Sequence, residues 1–423
     1  MDLGFLRDQS YQTLLDLSSE EGISASSRNE AYGCLFGRDS AITILKILRV
    51  YKRWPDAKLL AICKTGLLAL LNTQGIEFNL ESGEEPGKFI HEFRKNNYER
   101  LLKRDIPWFV YQDGILRNYD SVDSTPLTLI AFYRYWEQTK DNIFLLNSLS
   151  RIEKGLNWII SFGDKDKDLL IEYEFPINRR YGGLKVQSWT DSAESLKDAQ
   201  GNFPLYPIAP VEVQAFSWLA LKLWADFYLQ NNPSFGKKLL SQAKAMKDVF
   251  NNHFIFKDYQ YYFAAQALNG RKEQIKTITI NPLLALWATY HNKGGKEVIF
   301  EESYLEDIIN RSFENDLYDQ NGGLRTMSKN SPTFNHHHNS YHNGSFWPMA
   351  NGLAYNALED WGETEKAKQL KESSLRPLYF FKCPIELYIR DPQGNFVEYQ
   401  SNSGKMGCRF QAWTAATVLD WLI

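Results

Sequence analysis

The strongest constraint on this chain is a rhythm. Ten stretches place apolar side chains at three- and four-residue steps, the spacing that gathers them on one helix face. They are 40–51, 59–71, 125–138, 144–161, 211–230, 235–250, 281–290, 304–313, 347–361 and 411–422. Alternation at the strand period of two is scarce, and only 259–264 and 389–398 read as short hairpin arms. An all-α protein is therefore expected. Its loops have a character of their own. Segments 36–40, 86–94, 120–126, 187–192, 322–326 and 339–348 combine glycine and polar residues with Trp, Asp, Glu, Arg and His, many of them just ahead of a helix. At the inner ends of helical hairpins, such loops would converge on one face and line one cavity. That predicts an (α/α)6 toroid, a closed ring of hairpins with loop decorations. An open helical solenoid is the alternative that the same helix count allows.

At 423 residues the chain suffices for one large domain or two ordinary ones, and no low-complexity linker divides it. Aromatic residues reach 14%. Large rings fill cores, and they also stack on sugar faces, so composition alone leaves both roles open. A net charge of −3, with no basic stripe or tail, removes the electrostatic footprint of a nucleic-acid binder. The opening Met1-Asp2-Leu3-Gly4-Phe5 has neither a basic nor a long apolar stretch and reads as lacking a secretory signal. The longest apolar runs, such as 66–71 and 282–288, are too short to span a membrane. Cys34, Cys63, Cys383 and Cys408 show no metal-ligand spacing and are expected to be free thiols of a cytoplasmic protein.

Four segments pack functional groups densely. In Phe36-Gly37-Arg38-Asp39-Ser40, Asp39 or Ser40 suits a helix N-cap, or Arg38 and Asp39 form a clamp for sugar hydroxyls. In Gln187-Ser188-Trp189-Thr190-Asp191-Ser192, Asp191 is either another cap or a carboxyl kept protonated by apolar surroundings. Tyr341-His342-Asn343-Gly344-Ser345-Phe346-Trp347-Pro348 offers ring faces, an imidazole and an amide, as a sugar subsite would. The nearby His336, His337 and His338 are adjacent and cannot all point at one metal, so no metal site is expected there. Glu386 stands in the apolar run Pro384-Ile385-Glu386-Leu387-Tyr388, either paired to an Arg or poised for chemistry. The chain has no nucleophile elbow, phosphate loop or dinucleotide fingerprint. Paired carboxyl groups of opposite protonation, the apparatus of glycoside hydrolysis, are the chemistry for which it is visibly equipped.

Shorter pieces stand among these segments: Gln74-Gly75; Glu85-Pro86-Gly87-Lys88 with His91-Glu92; Ser121-Val122-Asp123-Ser124-Thr125-Pro126-Leu127; Ile208-Ala209-Pro210-Val211-Glu212-Val213-Gln214; Gly323-Leu324-Arg325-Thr326; and Gln411-Ala412-Trp413. In this order, over roughly 30–420, the set resembles the amylo-α-1,6-glucosidase (glycogen debranching enzyme C-terminal) family. The resemblance implies the toroid and an inverting, exo-acting α-glycosidase that needs no cofactor or metal and releases a terminal hexose from a carbohydrate substrate. It implies Asp191 as general acid and Glu386 as general base, roughly 6.5–9.5 Å apart. Arg38 and Asp39 would hold the terminal sugar, and Trp189, Trp347 and Tyr341 would supply ring faces. Glu92, Asp123, Glu212, Gln214 and His342 would complete the polar wall, with Glu212 the residue best able to displace one of the two catalytic choices.

The chain departs from the family at Ser188, Thr190, Ala215, Phe216, Arg409 and Phe410, which flank the acid and the sugar pocket and bear on substrate more than on reaction. The whole of 1–423 is expected to be one catalytic domain without a transferase domain or N-terminal β-sandwich. The competing readings are a toroid hydrolase of trehalose, sucrose, or glucosyl- or mannosylglycerate, a sugar epimerase, and a non-catalytic carbohydrate-binding toroid.

Overall fold

The computed structural model describes residues 3–423. The first two residues of the opening read as leaderless lie outside it. Six helices are buried on nearly every side: α2 (Gly37–Arg53), α5 (Ser124–Thr139), α7 (Val211–Asn231), α9 (Asn281–Trp287), α11 (Pro348–Asp360) and α13 (Ala412–Leu422). Six others are α1 (Gly4–Asp16), α3 (Ala57–Asn72), α6 (Asn142–Ser161), α8 (Pro233–Phe254), α10 (Leu305–Ser312) and α12 (Thr364–Phe381). These leave one side to solvent and bury a stripe, as an outer layer must. A short α4 (Glu99–Leu102) stands apart from both sets.

Contacts run from α2 to α5, α7, α9, α11 and α13 and back to α2, so the inner helices close on themselves. Each outer helix packs on an inner neighbour: α3 on α2, α6 on α5, α8 on α7, α10 on α9, α12 on α11 and α1 on α13. Local chemistry sets the boundaries. Asp56 and Asp141 cap α3 and α6 by accepting from Leu59 N and Phe144 N, at 2.9 and 3.1 Å. Pro348 sits in the first turn of α11, where its missing N–H costs nothing.

Strands are more numerous than expected. Seven two- and three-stranded sheets join the loops, including the two expected hairpins, Ile255–Asp258 with Tyr261–Ala264 and Tyr388–Arg390 with Phe396–Glu398. The pure all-α expectation is corrected to that extent. The helix expected over 281–290 stops at Trp287, after which Tyr290–Asn292 pairs with Gly295–Glu297. Cys63, Cys383 and Cys408 are buried, and none of the four cysteines is paired. Asp164, Asp166, Asp168 and Glu172 form an acidic cluster, and the Lys272 ammonium bonds to three of them. No helix among the described residues is long and apolar enough to cross a membrane.

Candidate active site

The N-terminal ends of the inner helices gather at one end of the ring. Gly37 opens α2 where a Cβ would lie 1.9 Å from Ile90 O, so only glycine brings this turn against the Ile90 backbone. Phe36, not Asp39 or Ser40, occupies the N-cap position. The next two side chains are thereby freed for other partners. Arg38 donates from Nε to Asp123 Oδ2 at the start of α5 (2.7 Å), from Nη1 to Asp191 Oδ2 (3.2 Å), and from Nη2 to Ser188 O (2.9 Å). The guanidinium is thus locked in three directions, and Asp191, which heads no helix, is held by it.

Glu386 is held from the other side. Its Oε1 accepts from Tyr341 Oη at 2.7 Å and its Oε2 from Cys408 N at 2.8 Å. Tyr341 accepts from Tyr32 Oη (2.8 Å), and Tyr32 accepts from Lys405 Nζ (2.6 Å), so a relay leads from the lysine to the carboxylate. Rings form the rest of the wall. His342 stacks on Trp347 at 4.8 Å and bonds through Nδ1 to Ser192 Oγ at 3.1 Å. Trp189 and Trp413 stand edge-on to Trp347 at 6.0 and 5.9 Å. Trp189 Nε1 donates to Asn281 Oδ1, fixing the indole.

Burial without full charge compensation shapes the protonation. Burial pushes Asp191 up to about 6, with Arg38 pulling against it. Burial and the nearby Asp191 and Glu386 charges take Asp39 to about 8, against Arg38. Burial raises Glu386 as well, opposed by the Cys408 N–H and the Tyr341 hydroxyl. His342 is pushed well below the usual imidazole range by burial and by Arg38 and stays neutral.

Eight expected residues line this inner cavity together: Arg38, Asp39, Trp189, Asp191, Tyr341, His342, Trp347 and Glu386. The other four stand elsewhere. Asp123 is buried behind Arg38 as its counter-ion. Glu92 lines an adjoining outer chamber and pairs with Arg94, two residues along the same strand. Glu212 is wholly buried off the cavity wall, where burial raises it to about 8 and Oε2 accepts from Asn281 Nδ2 at 3.0 Å. Gln214, expected in the wall, is instead a strut. Its amide bonds to Ile171 N, Ile171 O and Pro210 O, which leaves nothing to offer a sugar. His336, His337 and His338 lie exposed, outside the cavity lining.

Sequence reasoning missed Tyr32, Phe36, Gln411 and Trp413 in the inner wall and Lys405 in the outer one. Gln411 and Trp413 open the last helix in a motif already noted, which was their signal. Lys405 sits in a Ser- and Gly-containing turn that carries none. The outer chamber measures about 340 Å³ and shares Tyr32, Phe36 and Asp191 with the inner cavity.

The sequence profile of the amylo-alpha-1,6-glucosidase family matches residues 90–420. No curated protein sequence matches the chain. Among solved structures, a GH63 mannosylglycerate hydrolase from Thermus thermophilus in complex with glucose superposes at a TM-score of 0.65 and 15% identity, covering 99% of this chain and 100% of that one. A structure of the same name in complex with Tris and D-glycerate gives 0.66 at 14% identity, with the same coverage. At such identities the likeness is one of fold.

Proposed function

This chain belongs to the amylo-alpha-1,6-glucosidase family and is a glycoside hydrolase, and from that premise we propose that it is an inverting, exo-acting α-glycosidase built on an (α/α)6 toroid. The observation that carries the reading is the placement of the two carboxyl groups. Asp191 belongs to the walls of both the inner cavity and the outer chamber, whereas Glu386 belongs to the inner one alone. A general acid has to reach the oxygen between the sugar and its leaving group, and a base has to reach water on the sugar's far face. The protonation supports the same roles. A carboxyl near 6 keeps its proton in mildly acidic solution. Glu386 accepts two hydrogen bonds that favour its ionised form.

A terminal hexose in the inner cavity would be ringed by Trp189, Trp347, Trp413 and Tyr341, with Arg38 and Asp39 against its hydroxyls. Asp191 gives its proton to the glycosidic oxygen as the C1–O bond breaks. Glu386 takes a proton from the water that attacks C1 from the opposite side. The anomeric configuration inverts and the aglycone leaves as an alcohol. A small glycoside is favoured over a branched polymer, because an outer chamber of about 340 Å³ suits a compact aglycone.

The test is proton NMR of the first anomer released from a panel of α-linked glucosides and mannosides. Early β-anomer is expected, with Asp191→Asn and Glu386→Gln each lowering kcat by roughly a thousandfold or more. Early α-anomer would remove Glu386 from the role of water-activating base.

A further inference from the structure

The outer chamber holds more positive charge than its own residues neutralise. Its walls include two carboxylates, Glu92, which pairs with Arg94, and Asp191, which shares Arg38 with Asp123. The walls also include Arg100, Arg104 and Lys405, and among the described residues none of these three makes an ion pair. Arg100 donates to Ala31 O and lies 6.0 Å from the Tyr32 ring centroid. Arg104 lies 5.5 Å from that of Trp108. Lys405 lies 4.0 Å from that of Tyr32 while donating to its hydroxyl. Aromatic faces and neutral oxygens therefore hold the three cations in place, and only Lys405 feels a nearby carboxylate, Glu386, across the tyrosine relay. Burial keeps the Lys405 ammonium below the usual lysine range, Glu386 opposing and Arg100 adding to the effect.

Three cations without a direct ion pair around one concavity attract an anion by charge and bind it by charge-assisted hydrogen bonds. Their position adds direction. Lys405 and Arg100 flank Tyr32, which belongs to both cavities, so an anion here would belong to the group leaving from Asp191 and not to the sugar held by Glu386. We propose that Arg100, Arg104 and Lys405 are the specificity-determining residues of a leaving-group subsite for a small anionic aglycone, one bearing a carboxylate or a phosphate. The inference rests on the assignment of Asp191 as the acid between sugar and aglycone. It adds that the substrate's charge is read at a distance from the reacting bond.

Calorimetric binding of D-glycerate, glycerol 3-phosphate and glycerol to the wild-type protein at low salt tests it. At least one anion should bind about tenfold more tightly than glycerol and weaken as salt rises, the pattern of charge-dependent recognition. The tighter of the two anions tells carboxylate from phosphate. Arg104→Gln and Lys405→Met should each abolish most of that preference while leaving glycerol binding unchanged. Both side chains are at least partly exposed, so the variants are expected to fold. Equal binding of all three ligands, or anion binding that survives both substitutions, overturns the proposal.

Hydrolysis separates this outcome from that of the catalytic assignment. The ratio of kcat/KM for α-glucosylglycerate over α-glucosylglycerol should exceed about ten and fall towards one in Arg104→Gln, chiefly through KM. Anion binding lost in the variants, together with no glycoside cleaved, would keep the subsite and discard the catalytic reading. Cleavage of neutral glycosides without anion preference would do the reverse.

Discussion

Helix α2 connects two buried charge clusters that behave in opposite ways. At its start, Arg38 is shared between Asp123 and Asp191 beside Asp39 and Glu386, and the carboxyl groups facing the cavity are pushed up. Further along, Lys46 donates to Gly352 O, Asn356 Oδ1 and Asp420 Oδ2, while Arg49 and Arg53 reach the other oxygen of Asp420. Burial alone would raise Asp420, but these three cations override it and hold it well below the usual carboxylate range. Burial brings Lys46 down to about 8, with Asp420 opposing. The far cluster sets three cations around one carboxylate and ties α2, α11 and α13 together. The near one is short of cations, and that imbalance keeps protons where chemistry needs them.

The comparison breaks most visibly at the far cluster. Asp420→Ala would strand a buried lysine and should cost about 3–5 kcal/mol in denaturant unfolding, while kcat per folded molecule stays unchanged. A matching loss of kcat would mean that the two ends are coupled. A smaller effect sharpens the near cluster. Asp39 titrates higher folded (about 8) than unfolded (3.8), so its contribution to stability is fully present below about 4 and is lost as pH rises through 8. Asp39→Asn should therefore lose less stability than wild type between pH 5 and 8, by about 1 kcal/mol per pH unit. Parallel stability curves would show that Asp39 does not carry the raised titration. The smallest effect concerns the pH profile of kcat/KM. Its alkaline limb should fall near pH 6, as Asp191 loses its proton. The charge of Lys405 favours ionised Glu386, so Lys405→Met should move the acid limb upwards by less than about one pH unit. An acid limb that stays in place would disconnect the lysine from the base.

What could be read in the sequence follows from what is local. Inner helices such as α2 and α5 announce themselves because a periodic apolar pattern is a property of neighbouring residues. The outer α12 escaped notice because its apolar positions are sparse among lysines and glutamates and Pro377 interrupts it. The same logic runs through the site. Trp189 with Asp191, or Tyr341 with Trp347, stand out because their chemistry is dense over a few positions. Gln214 was misplaced because its amide is claimed by the backbone of Ile171, 43 residues away, a partner its own motif does not reveal. Glu92 has a local partner instead. Two apart on a strand means the same face, which gave it to Arg94. The meeting of Lys405 with Tyr32, 373 residues away, is set by ring closure and leaves no local trace.

That closure has a consequence for the order of assembly. The last inner helix, α13, packs against both α1 and α2, the first helices of the chain. Glu386, Lys405, Gln411 and Trp413 all lie in its final forty or so residues. A chain emerging from the ribosome can form its early hairpins as they appear, but the inner cavity is incomplete until the segment carrying Glu386 and Trp413 packs against α1 and α2. Contacts so distant in sequence are paid for in loop entropy and slow the search. The inner cavity is thus the last part of this ring to be completed, and a backbone cut between Glu386 and Trp413 would undo it first.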